Sequence, residues 1–562
     1  MRTWLKRDWS RRACWLLAVA LVLARLALGA TQLLLLTPNG ALLDDTFMYK
    51  AAVSISQGQW LGEYGWLTLS KYPLFPIWLA GLHLLHIPYL LGGQLLYTLA
   101  AALGAAALFP VLRQNRLRLL AFAMLLYNPA AMAAEVELRV YRDNITPALA
   151  LLFFAGYTGY ALRRKAPLKT SWGWLALAGL GLAGTWLNRE DGVWVLPFAL
   201  AATAALAAFG FWERETAQKG AKCAALCLPF VLTAAAVLSV CAVNGAYYGR
   251  FVLSDFTSRE FNDAYGAMTR VESAAPRDKV PVPRDVRALL YEHVPLLAEL
   301  EPFLESDAYY NDYGSVPEQE FYGGGFYWAL RRAVAEAGYY QDANTAKAYY
   351  EEVAAQVNAL CDNGTLSAGP RRSGTTPKIE AKYVWPVLKE TAANLARVLT
   401  FREAEPAHWT AMSLQMNAEP QLRAEYEAFL GSGCNWQAQA GTDLPYYAPA
   451  RQIAYKLLTA VQWAYAVLLP LGFAAALLCQ CRAAAWVFRL REKQPRGELL
   501  VWVLLLGLFL CMVLRCAIIA FMFTASFNNV QHIMYLAAVH PIALLYTALG
   551  LAVFGKKEAR HG

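Results

Sequence analysis

The chain has 562 residues, 58% hydrophobic and only 16% charged, with 18 Trp, 30 Tyr, 25 Phe and a mean hydropathy of +0.31. That composition excludes an ordinary soluble enzyme and indicates a polytopic membrane protein. The net charge of +9 is unevenly spread: residues 244–450 hold 18 Lys and Arg against 27 Asp and Glu, the remainder 32 against 14. The basic excess of the membrane part has a topological explanation, so it does not point to nucleic acid.

In chain order, a basic amino terminus precedes a first apolar run, 14–36, too long for a signal-peptide core and read as an uncleaved span. The loop 37–88 follows. In it, Asp44 and Asp45 open a segment whose Phe47, Met48, Ala51, Ala52 and Ile55 recur at helical spacing, an amphipathic helix on the membrane surface. Gly58 ends that helix, and Trp60, Tyr64 and Trp66 supply rings of the kind that settle at a bilayer interface. Lys71 stands just ahead of Pro73 and Pro76, and 73–86 is an apolar piece too short and proline-rich to span.

Further spans are expected at 89–111, 117–134, 145–162, 172–187, 193–211 and 223–243. No span-length apolar run occurs in 244–450, which reads as a mostly helical soluble domain large enough for its own core. Three more spans, 453–479, 499–523 and 533–554, close the chain. The expected architecture is thus an all-α polytopic protein of about ten spans: a seven-helix module (1–243), an extracytoplasmic domain (244–450) inserted between helices seven and eight, and a three-helix module (451–562). With this layout the inner segments carry 23 Lys and Arg, whereas the short outer loops hold only Lys50, Lys71, Arg139, Arg142 and Arg189. Both termini are then cytoplasmic, in a plasma or inner membrane, and the soluble domain is outside. Of ten cysteines, Cys361 and Cys434 lie where a disulfide is chemically permitted. No Cys/His spacing suggests zinc.

The same topology gathers the loop charges on one membrane face: Asp44, Asp45 and Glu63, then Arg142 and Asp143, then Arg189, Glu190 and Asp191. Any one of these is at home in a solvated loop; together, held by short loops, they make a place for chemistry on a lipid-borne substrate. Arg25 and Arg515 sit inside spans, where a charge faces a partner, reaches an interface, or borders a polar cavity such as a lipid head-group site.

Four stretches resemble the GT-C glycosyltransferases, the group holding protein O-mannosyltransferases and aminoarabinose transferases. They are LLDDTFMYKAAVSISQGQWLG, LSKYPLFPIWLAGL, YNPAAMAAEVELRVYRDN and WLNREDGVW, each at the matching membrane face, with a weaker QHIMYLAAVHPIALLY near the end. The resemblance implies inverting transfer of a sugar from a polyprenyl-phosphate donor, among membrane lipids, to a glycan, lipid or protein acceptor on the outer face. It assigns the base to Asp44 or Asp45, a second acid to Asp143, and the donor phosphate to Lys71, Arg142 and Arg189; Glu190, Arg515 and His532 are further candidate substrate contacts read from their positions. Two departures stand out. The first loop has Asp-Asp where the aminoarabinose group has Asp-Glu, and the last outer loop has Asn528, Asn529, Gln531 and His532 where that group often carries arginine.

The chemistry stands without the family. Phosphate is a good leaving group, so one carboxylate to take the acceptor's proton and cations to hold the departing phosphate suffice. No cofactor is required, and a divalent metal is optional. Between the two aspartates, Asp45 is favoured as base because Asp44 is better placed to cap the helix. The competing reading is a transporter or flippase for a lipid-linked precursor, which predicts repeated halves and broken helices at the bilayer midplane.

Overall fold

The computed structural model describes residues 8–35, 43–212, 218–409, 420–434, 448–488, 496–527 and 532–555. Within these the protein is helical, and its only β pairings are isolated bridges such as Leu34 with Cys434. Seven described helices are long and apolar enough to cross a membrane: Arg11–Ala30, Tyr89–Ala107, Arg142–Arg163, Gly192–Trp212, Lys219–Tyr248, Pro449–Ala485 and Gly497–Ala525. They coincide with seven of the ten expected spans and make this a multi-pass membrane protein. The expected span 172–187 lies in a further helix, Leu168–Asn188, of sufficient length but diluted by glycine, serine and threonine. Its small residues have a packing use. A Cβ on Gly181 would lie 2.3 Å from the Phe153 backbone, and one on Gly156 would lie 2.4 Å from that of Ala178. Two helices approach this closely only where one of the facing residues carries no side chain, the usual means of association in lipid.

The expected spans 117–134 and 533–554 are not continuous. The first is the helix Asn115–Leu126, a break at Tyr127 and Asn128, and a 3₁₀ turn Pro129–Ala131 that the Asn128 side chain caps by accepting from the Ala130 N–H. Proline cannot continue a hydrogen-bonded helix, and a break within a bundle leaves carbonyls needing donors. Arg25 supplies them: its guanidinium donates to the Leu126 carbonyl at 2.6 Å and the Ala131 carbonyl at 3.2 Å. Arg25 is fully buried, so it does not reach an interface but serves as an internal cap. Tyr465 helps by donating to the Met124 carbonyl at 2.8 Å. The last expected span is likewise split into His532–Leu536 and His540–Val553. The latter's 14 residues reach about 21 Å, less than the ~30 Å of a hydrocarbon core.

The expected outer unit, 244–450, divides by its packing. Residues between Phe261 and Leu366 form a core of their own. The amphipathic helix Val384–Thr400 instead lies on the long apolar helices, with Val398, Phe401 and Ala404 in the membrane-bundle core and Asn394 Nδ2 donating to the Cys516 carbonyl. Nor do Tyr64 and Trp66 form a bilayer belt. They pack on the outer domain, Tyr64 stacked on Tyr340 and Trp66 edge-on to Trp328, while Arg331 donates to the Trp66 carbonyl. The first loop is thereby clamped between membrane helices and outer domain. Cys361 and Cys434 are not disulfide-bonded to each other.

Candidate active site

The first loop turns into the helix Asp45–Ser56, which buries Phe47, Met48, Ala51 and Ala52. Successive residues on a helix diverge by about 100°, so two adjacent aspartates at its start cannot share one environment. Asp45 points inward, is fully buried, and meets Arg139 side-on, Nη2 to Oδ2 at 2.5 Å and Nε to Oδ1 at 3.2 Å. Asp44 occupies the N-cap position yet makes no capping hydrogen bond, because its backbone (φ −118°, ψ −94°) turns the carboxylate elsewhere. It is bonded to Lys71 Nζ and accepts from the Tyr141 hydroxyl at 3.0 Å. The Asp44 side chain is 39% exposed, onto a cavity. The orientation expected from sequence, with Asp45 toward the cavity and Asp44 capping, is not the one found: Asp44 lines the cavity and Asp45 is turned to Arg139.

Lys71 is almost fully enclosed. It donates to the Leu43 carbonyl at 2.6 Å and the Tyr141 hydroxyl at 3.1 Å, and lies over the rings of Tyr141 (5.0 Å) and Trp328 (5.6 Å). Burial alone would raise the Asp44 carboxyl. The Lys71 ammonium, with Arg139 and Arg142 behind it, overrides burial and holds the group well below the usual carboxylate range. Burial wins at Asp45, which is lifted to about 6 against the pull of Arg139. Burial likewise lowers Lys71, Asp44 opposing.

The second and third loops extend this pairing into a chain of alternating charge. Arg142 binds Glu190 at 2.6 Å, and Glu190 also accepts the Tyr72 N–H at 3.1 Å. Burial would raise Glu190, but Arg142 brings it below its ordinary value. Arg189 binds Asp143 at 2.6 Å and Asp191 at 3.1 Å, and Asp191 continues to Arg515 at 2.8 Å. Arg515 is anchored by donating to the Tyr535 carbonyl at 3.1 Å. Arg142 Nε and Asp143 Oδ2 are among the buried atoms with no hydrogen-bond partner among the described residues.

These loops border one cavity of about 1170 Å³. Asp44, Lys71, Arg142, Arg189, Glu190 and Asp191 form its charged side. The segment 256–328 contributes aromatic rings, Phe256, Tyr327 and Trp328 among them, and the helices Val384–Thr400 and Arg496–Ala525 an apolar flank of Val387, Ile518, Ile519, Phe521 and Met522. Of the residues singled out by sequence, Asp45 and Asp143 lie behind the surface, Arg515 behind Asp191, and His532 near Glu390 (3.3 Å) and Glu403 (3.8 Å), all off the cavity wall. Asn528, Asn529 and Gln531 lie outside the described residues. Sequence reasoning missed Arg139 and Tyr141, though both stand within the stretch EVELRVYRD, and the Tyr327–Trp328 pair, which no local signal marks. Among the described residues no three His, Cys, Asp or Glu side chains are grouped as metal ligands.

No family model matches the sequence, and no curated protein does. Among solved structures, that of ArnT from Cupriavidus metallidurans in the apo state aligns over 97% of this chain and 78% of its own, at 13% identity and a TM-score of 0.32.

Proposed function

We propose that the protein is a membrane glycosyltransferase that moves a sugar from a polyprenyl-phosphate donor to an acceptor hydroxyl on the outer membrane face, with Asp44 as general base. The observation that carries this reading is the convergence of Asp44, Lys71, Arg142 and Arg189, from three separate loops, on one cavity that also has an apolar flank. A polyprenyl-phosphate sugar needs both surfaces: cations for the phosphate and an apolar wall for the chain. The acceptor oxygen attacks the anomeric carbon as the carbon–phosphate-oxygen bond breaks. The proton passes to Asp44, and polyprenyl phosphate departs, held by Lys71 and the open Nε of Arg142. Displacement from the opposite face inverts the centre.

Lys71 has a second effect in this scheme. Its charge rests on Asp44 and depresses that carboxyl's basicity. A phosphate that draws Lys71 away leaves Asp44 a stronger base, so proton abstraction becomes efficient once donor is bound. Asp143 and Asp45 act by positioning Arg189 and Arg139. The excess of Lys and Arg in the segments read as inner supports cytoplasmic termini and a domain beyond the membrane. The test is a mass-spectrometric comparison of lipid-linked and envelope glycans with wild type, with Asp44→Asn and without the protein. A glycan present only with wild type is expected; identical profiles in all three would overturn the proposal.

A further inference from the structure

A second cleft, of about 470 Å³, opens in the outer domain between residues 265–283 and 372–383. It shares Thr375, Thr376 and Ser526 with the large cavity, so a single thin wall separates the two. Its charge runs against its surroundings. Residues 244–450 carry nine more acids than bases, yet the cleft is lined by five cations, Arg277, Lys279, Arg372, Lys378 and Lys382, and three acids.

The pairing sharpens the contrast. Asp278 and Glu380 are both taken by Lys382, at 3.1 and 3.2 Å, and Glu272 accepts from the Ser367 hydroxyl. Arg277 reaches Glu320 at 3.8 Å. Lys279 donates to the Phe527 carbonyl and lies over the Phe523 ring, Arg372 donates to the Thr376 carbonyl, and Lys378 is exposed, so none of the three has a carboxylate partner among the described residues. Lys279 is also held in left-handed backbone, φ +65°, a conformation that costs a lysine energy and that persists where surrounding structure fixes it, often at ligand clamps. Tyr265, Ser273, Tyr383 and the two shared threonines, all hydroxyl-bearing, are among the remaining lining residues.

We propose that this cleft binds the acceptor and that the acceptor is an acidic saccharide, its anionic group on Lys279, Arg372 and Lys378 and its sugar hydroxyls on the hydroxyl-rich wall. The inference rests on the glycosyltransferase reading for the direction in which the saccharide is presented, across Thr375 and Thr376 toward Asp44. Three unneutralised cations select a negative ligand, and a cleft of this volume holds a short oligosaccharide.

The test uses the full-length protein in detergent, titrated calorimetrically with trigalacturonate and with its neutral galactose counterpart. Wild type should bind the acid at least about tenfold more tightly than the neutral sugar, and lose that margin in high salt. Lys279→Gln/Arg372→Gln/Lys378→Gln should lose acid binding while retaining affinity for polyprenyl phosphate. The charge-preserving Lys279→Arg/Lys378→Arg should retain both, which separates loss of charge from misfolding. Equal binding of acid and neutral sugars, or undiminished acid binding in the triple Gln variant, would overturn the inference and leave the donor site untouched. Selective acid binding in a protein that transfers no sugar would instead sink the transferase reading and leave the cleft standing.

Discussion

Replacing each of the two neighbouring aspartates by asparagine separates chemistry from architecture. Asp44→Asn keeps the side chain's shape on the cavity wall and removes its capacity to take a proton, so transfer falls by about 10²–10⁴, the range for general-base help. The structural cost is modest. Lys71 loses one charged partner but keeps the Leu43 carbonyl and the Tyr141 hydroxyl, so the loss is about 1.5–3 kcal/mol. Asp45→Asn does the reverse. It breaks a fully buried two-point pair and leaves Arg139 with weaker contacts to Glu135 at 3.6 Å and Asp44 at 4.0 Å. Stripping one partner from such a pair costs about 3–5 kcal/mol. Transfer should be measured per mole of folded protein, alongside thermal unfolding in the same detergent. Asp44→Asn should be stable and inactive; Asp45→Asn should unfold earlier and keep much of its activity. A stable, inactive Asp45→Asn beside a fully active Asp44→Asn would refute the assignment.

The raised Asp45 carboxyl sets a pH window. Its folded value of about 6 lies above the ordinary 3.8, so between these the folded state binds the extra proton. The stability of wild type relative to Asp45→Asn should therefore fall as pH rises through that window and level off above it, as scanning fluorimetry across the range would read. Lys71→Ala should weaken polyprenyl-phosphate binding by about 1.5–3 kcal/mol in a direct titration, and unchanged affinity would remove Lys71 from the donor site. Arg25→Leu orphans two buried carbonyls at about 1–3 kcal/mol each, so it should lower the unfolding temperature with donor affinity intact. For sidedness, a thiol reagent applied from outside should modify Asn363→Cys and spare Thr170→Cys, read by peptide mass spectrometry; the opposite pattern would invert the topology.

Seven spans were legible from one-dimensional information alone, because crossing hydrocarbon demands a long apolar run whatever the run packs against. The gathering of charged loops on one face was legible for the same reason: the spans dictate where loops emerge. What the sequence could not reveal were the interruptions. Hydropathy averages over Asn128 and Pro129, and only the arrival of Arg25, some hundred residues earlier, makes that break tolerable. The Val384–Thr400 helix is similar: it is too polar to register as a span, yet tertiary packing draws it onto the membrane bundle. Asp44 and Asp45 show the limit most directly. They are the same residue type one position apart, and helix periodicity says that they diverge. Which one meets Lys71 and the cavity and which meets Arg139 is decided by partners contributed from loops distant in sequence, whose positions exist only once the chain has folded.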